Sequence, residues 1–364
     1  MKVLQLIASF GPGGAERQLS LIAPALARNG DDVHVAYCSA GPNFGRIEGG
    51  GVQLHALKPS GNHNPALAWA ILRLLKRVRP DVVQTWLLQM DVLGGHAALL
   101  CKVPLIVSER SSAAAYPPGW KTRLRLSVGK RASCIVANSL GGLDYWRPHV
   151  GADRLRVVRN CVLPAQAKVA VSESAEDFPP NGLPLVIFAG RFSHEKNIPN
   201  LVEALVLVAR RQPDAFVIMF GDGPERAAAT LRVAAEGFGE RFVIRDYSAD
   251  LPAWMARASV CVSVSHFEGH PNVVMEAAAA GCPLVLSDIA AHRELFDENS
   301  CAFAPAGSPG LIGDAVLQTL HNPQHARGRA AKARLVASGM DLDSTVSTYR
   351  TIYQSAAARG RQTP

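Results

Sequence analysis

The residues best able to do chemistry in this chain are charged groups set at the ends of short apolar runs. Directly after the run 185–189 the sequence reads Gly190-Arg191-Phe192-Ser193-His194-Glu195-Lys196-Asn197. Two cations five residues apart behind a glycine, at the mouth of a helix, can bracket a pyrophosphate, Arg as a planar fork and Lys as a point charge. Solvated surface charges would give the same pattern. From 265 the chain reads Ser265-His266-Phe267-Glu268-Gly269-His270-Pro271-Asn272-Val273-Val274-Met275-Glu276. One carboxylate sits in a strand-end loop and the second inside the following apolar helix. A carboxylate taken out of water needs donors, and the diols of a sugar and a ribose supply them. The plainer reading of Glu276 is a capping or solvent-facing helix residue.

Two glycine-rich loops accompany these groups. Phe10-Gly11-Pro12-Gly13-Gly14-Ala15-Glu16-Arg17 follows the first apolar run and opens a helix. Glycines let the backbone approach an anion, and a helix N-terminus presents free N–H groups to it. The loop has neither the Lys-Ser/Thr ending of a P-loop nor the Gly-x-Gly-x-x-Gly spacing of dinucleotide binders, and a simple tight turn is the alternative. Phe220-Gly221-Asp222-Gly223-Pro224 is a turn in its own right, with Gly221 placed to shape the floor near a nucleotide.

Positioning such loops needs strands that end together. Strand-length apolar runs at 3–7, 33–37, 81–85, 105–107 and 134–137 alternate with helical stretches at 19–28, 66–79, 92–100 and 140–146. The pattern restarts with strands at 185–189, 215–220, 242–244, 260–264 and 283–286 and helices at 201–210, 227–236, 252–258 and 273–280. This alternation predicts two α/β sheets of parallel strands with helices on both faces. Between them, 162–184 is polar and Pro-rich, of linker type. Ligands of such sheets bind beyond the carboxyl ends of the strands.

Composition agrees with two domains: 364 residues, 48% hydrophobic and 19% charged, with only 6% aromatic, which offers no stacking platform for nucleic acid. The net charge of +8 belongs to the N-terminal half, where residues 1–180 carry 21 Lys and Arg against 12 Asp and Glu. A basic face attracts phosphates, anionic lipid headgroups or nucleic acid, or is merely solvated. Seven scattered cysteines without a Cys-x-x-Cys pair read as reduced thiols in the cytoplasm. The first residues read as a buried strand rather than a signal peptide, and no apolar run is long enough to span a membrane.

Taken in order, Gly-Gly-Ala-Glu-Arg at 13–17, Gly-Arg…Glu-Lys at 190–196, Gly-Asp-Gly-Pro at 221–224 and the Glu268…Glu276 pair resemble glycosyltransferase family four. The resemblance covers essentially the whole chain. It implies a GT-B architecture, two Rossmann-like doubly wound domains facing across a cleft. The N-terminal acceptor-side domain is expected at 1–165, a linker at 166–183, and a nucleotide-sugar domain at 184–343, with a C-terminal helix at about 344–360 crossing back to the first domain.

The activity implied is retaining transfer of a sugar from a nucleotide-diphosphate donor, UDP-linked, to a glycan or polyprenyl-diphosphate-linked acceptor in bacterial surface-polysaccharide or glycoconjugate synthesis. No metal and no cofactor besides the donor substrate are expected. By the same resemblance Arg191, Lys196, Gly13 and Gly14 hold the diphosphate, with His270, Asn272, Val273 and Val274 completing the cradle. Glu276 takes the ribose and Glu268 faces the sugar. Where relatives carry a His facing the sugar, this chain has Ser108-Glu109-Arg110, and in the preceding loop Gln84-Thr85-Trp86. Glu109 is thus a candidate for the reacting centre and Arg110 for an acceptor phosphate, a salt-bridge or hinge role being the alternative. An epimerase of the same architecture and a noncatalytic sugar-nucleotide binder are the competing functions. Basic clusters at Arg73, Lys76, Arg77, Arg79 and at Lys121, Arg123, Arg125, Lys130, Arg131, the second interleaved with Trp120 and Leu124, suggest peripheral docking on the inner face of an anionic membrane. No nucleic-acid partner is expected.

Overall fold

The computed structural model describes residues 1–57, 65–163, 182–248 and 250–362. The chain divides into two compact units, residues 1–161 with 341–364, and residues 162–340. Most of the expected linker, 166–181, lies outside the described residues.

In the first unit the strands are β1 (Lys2–Leu6), β2 (Asp32–Tyr37), β3 (Gln53–Ala56), β4 (Val82–Trp86), β5 (Leu105–Glu109), β6 (Cys134–Ala137) and β7 (Leu155–Val157). They form one parallel sheet in the order β3-β2-β1-β4-β5-β6-β7. Helices α1 (Gly14–Arg28), α2 (Pro65–Val78), α3 (Leu87–Leu100), α4 (Trp120–Gly129) and α5 (Leu140–Trp146) connect them. Alternate residues of each strand face opposite sides of a sheet, so Val3, Val33, Val35 and Val82 pack on one face while Leu4, Leu6, Val83 and Val107 pack on the other.

The second unit repeats the pattern with β8 (Leu185–Ala189), β9 (Phe216–Phe220), β10 (Phe242–Arg245), β11 (Val260–Ser263), β12 (Leu284–Ser287) and β13 (Ala302–Ala304). Their order is β10-β9-β8-β11-β12-β13, again all parallel. The helices are α6 (Ile198–Arg211), α7 (Arg226–Ala234), α8 (Leu251–Arg257), α9 (Asn272–Ala279), the single turn α10 (Ala290–Arg293), α11 (Pro309–His321) and α12 (Pro323–Ser338). A last helix, α13 (Leu342–Gln362), belongs to the first unit. There Val346, Tyr349, Ile352 and Tyr353 join the core made by α1 and the β1 and β2 side of the sheet. A buried polar chain fixes that docking: Trp86 Nε1 donates to Gln5 Oε1 (2.7 Å), Gln5 Nε2 to the Tyr353 hydroxyl (2.9 Å), and that hydroxyl to Gln84 Oε1 (2.5 Å).

In each sheet the strand order reverses direction beside its first strand, between β1 and β4 and between β8 and β11. Ligands of open parallel sheets bind outside the carboxyl ends of the strands at such a reversal. The seven cysteines are all free thiols, five of them buried. Among the described residues no helix is long and apolar enough to cross a membrane.

Candidate active site

The glycines of the second unit build the wall behind Arg191. Gly221 and Gly223 have φ of +138° and +153°, and a Cβ on either would fall 1.9 Å from the Gly190 carbonyl oxygen or 2.4 Å from that of Phe192. Only glycine admits this approach. It lets Phe192 N donate to the Asp222 carbonyl (2.9 Å) and Glu225 N to the Phe192 carbonyl (2.9 Å), while the Phe192 ring is buried edge-on against Phe188. Arg191 then stands exposed at the end of β8, its carbonyl accepting from Ser193 Oγ (3.4 Å) and its guanidinium with no hydrogen bond or ion pair among the described residues.

Lys196 ends a single 3-10 turn, His194–Lys196, that the left-handed Asn197 (φ +57°) terminates. Asn197 Nδ2 donates to the carbonyls of Val264 (3.0 Å) and Ala306 (2.7 Å), and His266 N donates to the Glu195 carbonyl (2.9 Å). These bonds draw the loop after β8 against the loop after β11, across the strand reversal. Lys196 Nζ thereby reaches Glu268 Oε1 at 2.5 Å, and Ser265 Oγ donates to the same oxygen at 2.7 Å. Burial alone would raise the Glu268 pKa; the adjacent Lys196 charge and its hydrogen bond, with His292 and Ser265, bring it below the ordinary carboxylate value.

Behind the pair, Ser287 Oγ donates to the Ser265 carbonyl (2.8 Å), and His292 of α10 sets Nδ1 2.9 Å from the Ser287 carbonyl. Burial lowers the His292 pKa against the pull of Glu268. Nothing in the sequence singles out His292; a lone histidine in a short Ala-Ala-His-Arg turn carries no signal until the fold sets it near Glu268.

The N-terminus of α9 closes this edge. Its first intrahelical bond is Met275 N to the Pro271 carbonyl (3.0 Å), so the N–H groups of Asn272, Val273 and Val274 make no bond within the helix. His270 is buried just before it, and Glu276 is half-buried further along the helix. The second unit therefore gathers Arg191, Lys196, Glu268 and His270 on the loops that follow β8 and β11 and Asn272, Val273, Val274 and Glu276 on the N-terminal half of α9, backed by Gly221.

In the first unit Gly13 caps α1 and Gly14 is its first residue. The Glu16 carboxylate folds back over the glycine, where a Cβ would meet it at 2.3 Å. The loop lies at the carboxyl end of β1, next to the reversal in that sheet.

Glu109 does not have the place expected of it. Its carboxylate is fully buried and all four approaches are filled: Ser111 N (2.9 Å) and the Tyr116 hydroxyl (2.7 Å) on Oε1, Arg125 Nη1 (2.8 Å) and Trp146 Nε1 (3.0 Å) on Oε2. Glu109 is a structural ion-pair partner and not a group open to a reacting centre. Arg125 is corrected with it. Expected on a basic surface, it is fully buried and also bonds Asp91 Oδ2 at 2.7 Å. The remaining cations of that cluster, Lys121, Arg123, Lys130 and Arg131, are exposed beside an exposed Trp120. Among the described residues no group of three or more His, Cys, Asp or Glu side chains is gathered to hold a metal ion.

Two parallel α/β sheets in tandem, each reversing its strand order beside its first strand, are the architecture of the GT-B class of two-domain glycosyltransferases. Solved structures share the fold along nearly the whole chain. The Anabaena Alr3699/HepE protein, determined in complex with UDP-glucose, matches with a TM-score of 0.85 at 20% identity, over 98% of this chain and 100% of that one. WaaG, a glycosyltransferase involved in lipopolysaccharide biosynthesis, matches with a TM-score of 0.76 at 17% identity, over 96% and 99%. The model described as Glycosyltransferase Family 4 matches residues 12–166, and that described as Glycosyl transferases group 1 matches 183–322. The chain belongs to glycosyltransferase family four and is a glycosyltransferase. Similar proteins include the glycogen synthase of Mycobacterium tuberculosis, 27% identical over 100% of this chain and 97% of the relative. A Campylobacter jejuni N-acetylgalactosaminyltransferase, whose name specifies an undecaprenol-linked diphosphate acceptor, is 27% identical over 76% of each chain.

Proposed function

We propose that this glycosyltransferase takes its sugar from a UDP-sugar, retains the anomeric configuration, needs no divalent metal, and delivers to a glycan on a polyprenyl-diphosphate lipid in bacterial surface-polysaccharide or glycoconjugate synthesis. The observation that carries the reading is the Lys196–Glu268 pair at the strand reversal of the second unit, with the Arg191 side chain beside the same edge and without an ion-pair partner among the described residues. In it Arg191, Lys196 and the N–H groups of Asn272, Val273 and Val274 hold the donor diphosphate, with His270 and Gly221 shaping the cradle. Glu276 accepts from the ribose hydroxyls. Glu268 orients the transferred sugar while Lys196 remains its counter-ion.

The diphosphate departs as the sugar takes on oxocarbenium character. The acceptor hydroxyl attacks the same face that the diphosphate leaves, passing its proton to a departing phosphate oxygen. Arg191, Lys196 and the helix terminus offset the leaving charge, which is the task a metal would otherwise perform. UDP as the nucleotide is supported by the Anabaena structure named as a UDP-glucose complex, and the lipid diphosphate by the Campylobacter relative. The enzyme would work at the cytoplasmic face of a membrane, touching it through Trp120, Leu124, Lys121, Arg123, Lys130 and Arg131.

Calorimetric titration of UDP into the protein in excess EDTA tests the core of this. Binding is expected, weakened tenfold or more by Arg191→Met; no binding by the unaltered protein, or unchanged affinity in the variant, refutes the assignment of the site. The anomeric proton coupling of the transferred sugar in the product decides retention. Sedimentation with anionic vesicles at low and high salt tests the membrane contact, which Lys121→Gln with Arg123→Gln should weaken.

A further inference from the structure

In the donor-bound arrangement proposed above, the Lys196 ammonium serves two anions at once, Glu268 and the diphosphate. His292 is placed to supply a further positive charge. Its Nδ1 lies 2.9 Å from the Ser287 carbonyl oxygen and 3.2 Å from Ser287 Oγ, whose own hydrogen goes to the Ser265 carbonyl. A carbonyl oxygen only accepts, so Nδ1 carries the ring hydrogen and Nε2 is left with its lone pair. Nε2 is buried and makes no hydrogen bond among the described residues. A buried acceptor in that condition costs free energy, and its lone pair can take a proton without any bond in the fold being broken.

The charges around the ring decide when it does so. Burial is the largest influence and lowers the His292 pKa below the ordinary 6.5; Glu268, on the loop after β11, and the Ser287 carbonyl pull it up, and Lys196, on the loop after β8, pushes it down. The neighbouring Arg293 is engaged by the exposed Asp288 and Glu298. A diphosphate at Lys196 cancels the positive field that opposes a proton on His292, while Glu268 goes on favouring it. A proton needs a lone pair and no cavity, and the local openings that admit it occur within about microseconds to seconds.

We propose that His292 takes up a proton when the donor diphosphate binds and becomes a second counter-ion of Glu268, holding that carboxylate in place toward the sugar. The proton comes from solvent, bonds to Nε2 while Nδ1 keeps its hydrogen, and returns to solvent when the nucleoside diphosphate leaves. His292 is a positioning residue that acts through Glu268 and not on the substrate. The proposal rests on the donor-site reading above.

The test is calorimetric titration of UDP into the full chain at about pH 7.5 in two buffers of different ionisation enthalpy, whose difference in heat gives the protons exchanged. The terminal phosphate of UDP also exchanges protons, a contribution common to all the proteins compared, so the readout is the difference between them. His292→Asn keeps an amide N–H for the Ser287 carbonyl but does not titrate. The unaltered protein should take up more protons per UDP than His292→Asn, by at most one. Its UDP affinity should also fall more steeply as pH rises from about 6 to 8, because a group whose pKa rises on binding favours the bound state at low pH. Glu268→Gln, which removes the anion, should abolish the excess uptake. Equal uptake in the unaltered protein and His292→Asn, parallel pH profiles, or an excess that survives Glu268→Gln would each overturn the proposal. If His292→Asn does not fold, His292→Gln takes its place under the same criteria, and should neither fold, Glu268→Gln decides. Failure of the unaltered protein to bind UDP at all would instead bring down the donor-site reading on which the proposal stands.

Discussion

Lys196 and Arg191 are both cations five residues apart, yet removing them should have opposite structural consequences. Lys196→Met leaves Glu268 in its protein pocket with only Ser265 as donor, and breaking a largely buried pair in this way costs about 1–3 kcal/mol. Arg191→Met breaks nothing in the fold. Thermal melts should therefore show a lower melting temperature for Lys196→Met only, and Lys196→Met with Glu268→Gln should recover it without recovering transfer. The pH dependence follows from the same pair. Because the folded state depresses the Glu268 pKa, its contribution is complete above the unfolded value of about 4.3 and is lost as pH falls through the lower folded value. Denaturant titrations should show Glu268→Gln losing less stability than the unaltered protein over that acid range. In the sequence both cations and both carboxylates were legible from spacing after apolar runs. What was not legible was whom each charge faces: Glu109 and Arg125 lie 16 residues apart in the chain and meet only because α4 packs beside the end of β5.

Elements show the same division. The central strands were readable because both faces of a parallel sheet are covered, which makes each a continuous apolar run. The edge strands β3, β7 and β13 are short and partly exposed, with sequences such as Gln-Leu-His-Ala, and gave no such run. Helix α12 escapes notice for a different reason: its buried stripe is Ala326, Ala330, Ala333 and Ala337, too small to stand out among its three arginines and one lysine. Helix α4 combines both lessons, since its basic pattern suggested a surface while Arg125 turns inward. Arg125→Met should strand Asp91 and Glu109 together and cost about 3–5 kcal/mol, whereas the exposed Arg123→Gln should fall within about 0.5 kcal/mol of the unaltered chain. Urea midpoints measured side by side would separate the two.

At the scale of the molecule, the two units are unequal as pieces of chain. The second is continuous from Val162 to Met340, whose backbones meet where Val162 N donates to the Met340 carbonyl at 2.8 Å. The first is interrupted and depends on α13. Each large side chain that α13 buries is worth about 1.5–3 kcal/mol, against a total stability of about 5–15 kcal/mol for a typical domain. A fragment of residues 162–340 should therefore melt cooperatively and bind UDP weakly, while residues 1–161 alone should lack a sharp transition in calorimetry. A sharp transition in that fragment would mean that Val346, Tyr349, Ile352 and Tyr353 contribute far less than their burial implies.

The interruption also sets a clock. Chains emerge from the ribosome at about 5–20 residues per second, and α13 follows Cys161 by about 180 residues. For about 10–40 s the first sheet exists with the flank beside α1 uncovered, while the later-made unit can finish folding at once. The apolar surface awaiting α13 is the stretch of this protein most in need of a chaperone, and slower translation of the second unit would prolong its exposure.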